Sequence, residues 1–208
     1  MTVKEDVLAA MGGVPDLDSL IPADYRARFE LAEPMQYGMV CRDIPDKIDR
    51  LEALGAGPFV HGTVGLPGWR ERGVARKVRN EVALGYCENQ QIELLGPGTN
   101  TNHYVEKIPA DGEIALHHVG IAQLGLRQSR RAFAAAGIEA VVELGMNIGP
   151  LYSLDVAYYD TRDELGFYVE LLEFRSFGRH VPPGEGLISA LGGLQRRLRR
   201  RRSVGHPR

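Results

Sequence analysis

His117-His118-Val119-Gly120-Ile121-Ala122 opens one half of this chain, and Met35-Gln36-Tyr37-Gly38-Met39-Val40 opens the other. Each leads into a helical pattern. The first ends at Leu54-Gly55-Ala56-Gly57 and the second at Ala136-Gly137-Ile138. Each half then closes on a strand carrying a carboxylate, Gln91-Ile92-Glu93-Leu94-Leu95 in one and Tyr168-Val169-Glu170-Leu171-Leu172 in the other. An offset of roughly 80 residues between the copies marks an internal repeat. In that alignment Gln36 matches His118, and Glu93 matches Glu170. A duplicated unit that brings one imidazole, one amide and two carboxylates to equivalent points implies one shared metal site.

Strand parity supports the same grouping, because residues i and i+2 share a face. Gln36 falls with Gly38 and Val40, and His118 with Gly120 and Ala122. Glycine on that face leaves room for something other than packed side chains. Glu93 opposes Ile92 and Leu94, and Glu170 opposes Val169 and Leu171. The aliphatic neighbours are expected to meet helices, which turns all four candidates onto one concave surface. By the same parity His117 is expected on the other face and outside the site.

Working outward, Met35–Arg42 alternates like a strand. Asp43 can cap a helix over Pro45–Leu54, with proline in its first turn and Gly55 past its end. Strands are expected over Pro58–Val64, Ala75–Tyr86 and Gln90–Leu95. Between them Gly65–Gly73 reads as a mobile loop holding Trp69, Arg70 and Arg72. The second half repeats the order: strand Ile114–Gln123, helix Leu126–Ala136, then strands Glu139–Met146, Ser153–Tyr159 and Phe167–Phe174. Asn147-Ile148-Gly149-Pro150 reads as a turn. The expected architecture is α+β, two tandem βαβββ modules forming a cupped mixed sheet. An N-terminal arm spans 1–34, with a short helix expected over 3–11 and stopped by Gly12-Gly13; the modules span 35–97 and 113–176, a connector 98–112, and a basic tail 177–208.

Composition narrows the class. A chain of 208 residues can bury a sizeable core. Its formal charge of -2 argues against specific nucleic-acid binding. Two cysteines, Cys41 and Cys87, make no disulfide scaffold, so a reduced cytoplasmic setting is expected. Nothing reads as a signal peptide or a membrane span.

Two βαβββ units, one opened by His-Val-Gly-Ile and both closed by Glu-Leu-Leu, resemble the vicinal oxygen chelate superfamily. This group includes glyoxalase I, methylmalonyl-CoA epimerase and extradiol dioxygenases. The resemblance covers roughly residues 34–176. The run Ile92-Glu93-Leu94-Leu95-Gly96-Pro97, followed by a polar connector to Leu116-His117-His118-Val119, is most similar to the methylmalonyl-CoA epimerase branch. The ligand identities are more similar to animal-type glyoxalase I. Carried over by position, the resemblance implies Gln36, Glu93, His118 and Glu170 as metal ligands and a homodimer that binds a small carbonyl-containing substrate. It further implies that Glu170 acts as the catalytic base with Glu93 as its partner.

The donor set has its own chemistry. Three oxygens and one imidazole suit a divalent Mn, Fe, Co, Ni or Zn ion with open positions. Two carboxylates neutralise its charge. Such a site fits isomerisation or epimerisation by proton transfer next to a metal-bound carbonyl. The alternative is a metal-free binding or resistance protein of the same fold. Ring-cleaving dioxygenase chemistry ranks lower, since Gln36 stands where a second histidine would be needed. Taken singly, each of the four residues has an ordinary reading as a buried or interfacial polar group. Their recurrence sets them apart.

The tail carries another pattern. Leu187, Leu191, Leu194 and Leu198 fall on one helical stripe, with Arg196, Arg197 and Arg199–Arg202 around its end. Residues 181–208 hold seven arginines and one glutamate. The stripe is expected to pack on the body or on another subunit. Association with an anionic membrane is the less favoured reading.

Overall fold

The computed structural model describes residues 2–147, 149 and 151–204, with side chains described to Leu198. The expected turn at 147–150 lies partly outside the described residues, as do the side chains of Arg199–Arg202.

The first module runs β1 (Gln36–Val40), α4 (Ile44–Ala53), β2 (Val60–Leu66), β5 (Val78–Cys87) and β6 (Gln90–Leu95). A short hairpin, β3 (Arg70–Glu71) and β4 (Val74–Ala75), interrupts it. The second runs β7 (Ala115–Ala122), α5 (Arg127–Ala135), β8 (Ala140–Asn147), β9 (Tyr152–Tyr159), a one-turn α6 (Arg162–Leu165) and β10 (Tyr168–Ser176). The connector contains a short 3₁₀ turn at Val105–Lys107. Asp43 caps α4 by accepting from the Asp46 amide at 3.3 Å.

Within the modules the pairings are equivalent. β1 runs parallel to β6, β6 antiparallel to β5 and β5 antiparallel to β2. β7 runs parallel to β10, β10 antiparallel to β9 and β9 antiparallel to β8. The modules join where β1 pairs antiparallel with β7. The result is one mixed sheet ordered β2-β5-β6-β1-β7-β10-β9-β8-β3-β4, with β11 (Arg179–His180) on β10. Most element ends lie within two residues of the sequence reading.

Two buried clusters divide the sheet's faces. One gathers Tyr37, Met39, Ile92, Leu94, Val119, Ile121, Val169 and Leu171 against Ile44, Ile48 and Leu51 of α4 and Phe133 of α5. The other, on the opposite face, contains Val40, Leu95, Tyr104, Tyr158, Tyr168 and Leu172. The alternation of each strand is therefore spent twice, once on helices and once on the cup.

Three sequence expectations change. Residues 1–34 form α1 (Val3–Ala10), α2 (Leu17–Leu20) and α3 (Ala23–Phe29). The first matches the helix expected over 3–11, and the segment as a whole packs on the modules, because Val7, Met11, Leu17, Ile21 and Phe29 enter the helix-side core. Phe29 stacks on Phe133 at 4.3 Å, and Phe133 stacks on Tyr159 at 4.1 Å.

The loop around Trp69 is also ordered. β3 crosses to pair with β8, the edge strand of the second module. Gly68 permits this approach, since a Cβ there would collide with the Gly145 carbonyl. Trp69 is buried against His103 and Tyr104. A loop of one repeat thus bridges the cup by pairing with the other repeat. No period in the local sequence announces such a long-range pairing.

The tail is a helix, α7 (Glu185–Val204), lying on β2 and β5. It docks through Ile188 and Gly192, not through the leucine stripe. Leu187, Leu191, Leu194 and Leu198 are 44–58% exposed. The small Gly192 meets the backbone of Pro58 and Phe59, so the face that approaches closest is the one with least side chain. Gln195 completes the docking. Its side-chain amide accepts from the His61 N–H at 2.8 Å and donates to the His61 carbonyl at 3.2 Å, covering part of an edge strand. Among the described residues no helix is long and apolar enough to cross a membrane.

Candidate metal centre

The strand register places the four candidates in two rows across the cup. In one row Glu93 of β6 faces Gly38 of β1, and Gly38 faces His118 of β7. In the other, Gln36 of β1 faces Gly120 of β7, and Gly120 faces Glu170 of β10. Each row has a glycine at its centre, and the rows exchange under the pseudo-twofold relation between modules.

The glycines are spatial requirements here. A Cβ on Gly38 would fall inside the His118 imidazole. A Cβ on Gly120 would lie 2.6 Å from Gln36 Oε1 and 3.2 Å from Glu170 Oε2. The side chains of one row thus lean over the glycine of the sheet and converge. One ligand atom each of Glu93, His118 and Glu170 lies within 4.8 Å of the others. His118 Nε2 is 3.1 Å from Glu170 Oε2 and 3.4 Å from Glu93 Oε2.

Gln36 Oε1 is buried without a hydrogen-bond partner, and His118 Nε2 and Glu170 Oε2 are buried with no partner beyond the cluster itself. Buried polar atoms are rarely left so. The Gln36 amide has one way to sit, because Nε2 donates to Gln91 Oε1 at 2.6 Å and leaves Oε1 facing the cluster. Gln91 Nε2 donates in turn to the Tyr86 hydroxyl at 2.9 Å. Two carboxylates, an imidazole nitrogen and an amide oxygen fit a divalent ion with nitrogen and oxygen preference.

His117 corrects the parity expectation. The β1–β7 ladder shifts register between Gly38 and Met39: His118 faces Gly38, and Leu116 faces Met39. That bulge leaves His117 unpaired and rotates it onto the same face as its neighbour. The His117 ring lies 4.9 Å from Tyr168 and 5.3 Å from His118.

Its hydrogen bonds fix a tautomer. His117 Nε2 sits 3.0 Å from the His103 carbonyl, which can only accept, so Nε2 carries the hydrogen. Burial and then the charge of His118 hold the His117 pKa well below its ordinary value, and the ring is neutral. Its Nδ1 is therefore an acceptor, 3.1 Å from His118 Nδ1, which must donate. When His118 is neutral, its lone pair lies on Nε2 and faces the carboxylates.

The charges are strongly coupled. Burial alone would lower the pKa of His118, but Glu170 and then Glu93 outweigh it and raise the imidazole to about 9. Burial, opposed by His118 and assisted by the charge of Glu170, raises Glu93 above the usual carboxylate range. Burial lowers His103 to about 3. The phenols of Tyr158 and Tyr104 sit 3.2 Å apart, and burial keeps both protonated. Without a metal, a His118 cation between two carboxylates is the favoured state.

Sequence reading proposed Gln36, Glu93, His118 and Glu170; Glu93, His118 and Glu170 converge, and Gln36 Oε1 lies beside Glu170 over Gly120. It missed Gln91, which aims Gln36, and it misplaced His117. It also missed Tyr104 and Tyr158, whose distance in sequence from the histidines hides their contact.

Two βαβββ modules share one mixed sheet, the architecture expected from the sequence. Solved structures similar to this chain include a hypothetical protein from Bacillus halodurans C-125, at 18% identity and TM-score 0.46, covering 68% of this chain and 93% of that one. Methylmalonyl-CoA epimerase from Mycobacterium tuberculosis is 15% identical at TM-score 0.46, covering 71% and 94%. An epimerase variant from Streptomyces coelicolor, in complex with 2-nitronate-propionyl-CoA, is 15% identical at TM-score 0.47, covering 68% and 96%. No family model matches the chain. No curated protein matches it. None of these likenesses transfers a substrate or an activity.

Proposed function

We propose that this protein is a metal-dependent isomerase or epimerase that moves a proton at a carbon beside a carbonyl of a small-molecule substrate. The observation that carries this reading is the buried convergence of His118 Nε2 with Glu170 Oε2 and Glu93, beside a Gln36 Oε1 that is buried without a hydrogen-bond partner. A divalent ion held by these four residues would supply Lewis-acid polarisation of the substrate carbonyl.

The chain's own groups do the rest. His117 holds His118 in the tautomer that presents Nε2. Gln91 holds the Gln36 oxygen inward. Glu170 is the first candidate to take the proton from carbon, and Glu93, already shifted toward the protonated form, is its partner in returning it. The two carboxylates stand at pseudo-equivalent points of the repeat, which suits removal on one side and return on the other. All four groups belong to one chain, so the homodimer expected from the sequence is not needed to complete the site.

Solvent-deuterium exchange tests the reading on metal-loaded protein, with hydroxy-ketones and acyl thioesters as the first panel. Exchange at the carbon next to the carbonyl is expected. Glu170→Gln should slow it by about 10²- to 10⁴-fold with the fold intact. His118→Ala should abolish exchange through loss of metal. Undiminished exchange in both variants would remove this cluster from the chemistry.

One observation favours a second reading, a metal-free binding protein. A protonated His118 already compensates its carboxylate neighbours. Metal analysis of protein purified without a histidine tag separates the two, since the enzyme reading requires one ion per chain.

A further inference from the structure

Beside the candidate centre lies a partly open cavity of about 510 Å³, lined by Gln36 and Glu93 of the centre and also by the chain's own C-terminal segment. Gln36, Gln91 and Glu93 line its floor, Leu84, Leu154, Leu172 and Phe174 are among its walls, and Val181–Gly184 with Leu187 and Ile188 form its roof. We propose that this roof makes the centre selective for a compact, largely apolar, uncharged substrate that carries its oxygen donors at one end. The proposal rests on the metal reading above and names the substrate class for that same site.

Three observations support it. The first is chemical. The polar side chains of the lining are Gln36, Gln91, Glu93 and Tyr152, the Tyr152 hydroxyl is spent on the Val181 carbonyl, and the described lining contains no lysine or arginine. A phosphate or carboxylate on the distal part of a ligand would leave water for aliphatic walls without a cation to meet it, which is costly.

The second is size. At about 30 Å³ per water, the space equals roughly 17 waters. It lies within the range of small-molecule pockets. A substrate of similar heavy-atom count fills it.

The third is that the roof is fastened. Tyr152 donates to the Val181 carbonyl at 2.6 Å, and Tyr86 donates to the Pro183 carbonyl at 3.2 Å. The Tyr86 hydroxyl also accepts from Gln91, whose oxygen accepts from Gln36. A continuous chain of hydrogen bonds therefore runs from a proposed ligand on the floor to the backbone of the roof. Ile188, buried at the start of α7, holds the far side down.

Alkyl hydroxamates provide the probe, because their vicinal oxygens chelate a divalent ion while the chain length can be varied. Binding of acetohydroxamate, butanohydroxamate and hexanohydroxamate to cobalt-loaded protein is measured by calorimetry. Affinity is expected to rise about fourfold per methylene. From acetohydroxamate to hexanohydroxamate, four methylenes longer, the gain should reach roughly 250-fold. A hexanohydroxamate chain ended by a carboxylate should forfeit most of it. Leu84→Trp, which fills the cavity, should erase the gain from acetohydroxamate to hexanohydroxamate. Affinity that is flat across the series, or equal for the carboxylate-ended chain, overturns the proposal. Failure of the metal reading looks different: dialysis finds no bound cobalt and no hydroxamate binds through it. The matched 1-alkanols, tested on metal-free protein, then decide the cavity alone. A gain from ethanol to 1-hexanol that Leu84→Trp removes supports the apolar site, and its absence overturns it.

Discussion

His117 Nδ1 lies 3.1 Å from His118 Nδ1, and the two adjacent residues share one face of β7 because of a bulge opposite Gly38 and Met39. The contact orders the protons: His103 carbonyl, His117 Nε2–H, His117 Nδ1, His118 Nδ1–H. It leaves His118 Nε2 as the only ring position that can coordinate. Second partners of this kind usually matter to metal affinity by 10- to 100-fold. His117→Leu should therefore weaken metal binding by about that factor in a chelator-competition titration. His117→Asn, which restores an acceptor oxygen, should recover part of it. Equal affinity in all three proteins would reduce His117 to a packing role.

Gly38 offers a sharper geometric test. Its backbone lies in a strand, so alanine costs little in conformation. Its Cβ, however, would occupy the space of the His118 ring. Gly38→Ala should displace the imidazole and lower metal affinity by at least about tenfold, the scale of a misplaced ligand. Gly62→Ala in β2, where nothing lies within 4 Å, is the control and should bind metal normally. Co²⁺ absorption spectra of both variants report the change directly.

The pH dependence has a definite sign. The folded pKa of His118 is about 9, above its ordinary value of 6.5. In metal-free protein this protonation contributes stability that is complete below pH 6.5 and lost as pH rises through 9. Over this window the loss is on the order of 3 kcal/mol. Glu93 is shifted upward as well, so its linkage adds in the same direction. Metal-free protein should melt lower at pH 9 than at pH 6.5. Metal binding requires neutral His118, so apparent affinity should fall about tenfold per pH unit below 9 for that one proton. A denaturation series at several pH values, with and without metal, checks both slopes.

Gln36, His118, Glu93 and Glu170 were legible because strand parity and an internal repeat are both encoded locally. Period-2 alternation puts each on the face away from the helices, and the repeat makes four separate guesses into one. His117 was misplaced because parity assumes an unbroken ladder, and a bulge is set by the partner strand. Trp69 was misread for a related reason: its order comes from β3 pairing with β8, about 70 residues away in sequence. The leucine stripe of the tail shows the limit of periodicity itself. Leu187, Leu191, Leu194 and Leu198 mark a helical face, but docking requires close approach, which the glycine face provides.

That last point yields a test in α7. Gly192 and Gly193 are adjacent, yet they face different surroundings. A Cβ at Gly192 would lie 2.5 Å from the Pro58 carbonyl oxygen and 2.7 Å from the Phe59 carbonyl carbon. At Gly193 the nearest atom is Pro58 Cγ at 3.9 Å, an ordinary contact. Alanine in a helix interior is favoured over glycine by about 0.8–1 kcal/mol. Gly193→Ala should therefore raise stability by about that amount. Gly192→Ala gains the same propensity but must push the helix off β2, straining the Gln195–His61 hydrogen bonds and exposing Ile188. Its net effect should be destabilising by about 1–3 kcal/mol, the usual cost of overpacking. Ile188→Ala should lose about 2 kcal/mol or more, while Leu191→Ala should stay within about 0.5 kcal/mol. Thermal denaturation of the four variants measures the ordering. If Gly192→Ala and Gly193→Ala both stabilise, α7 is not seated on the Pro58–Phe59 backbone as described.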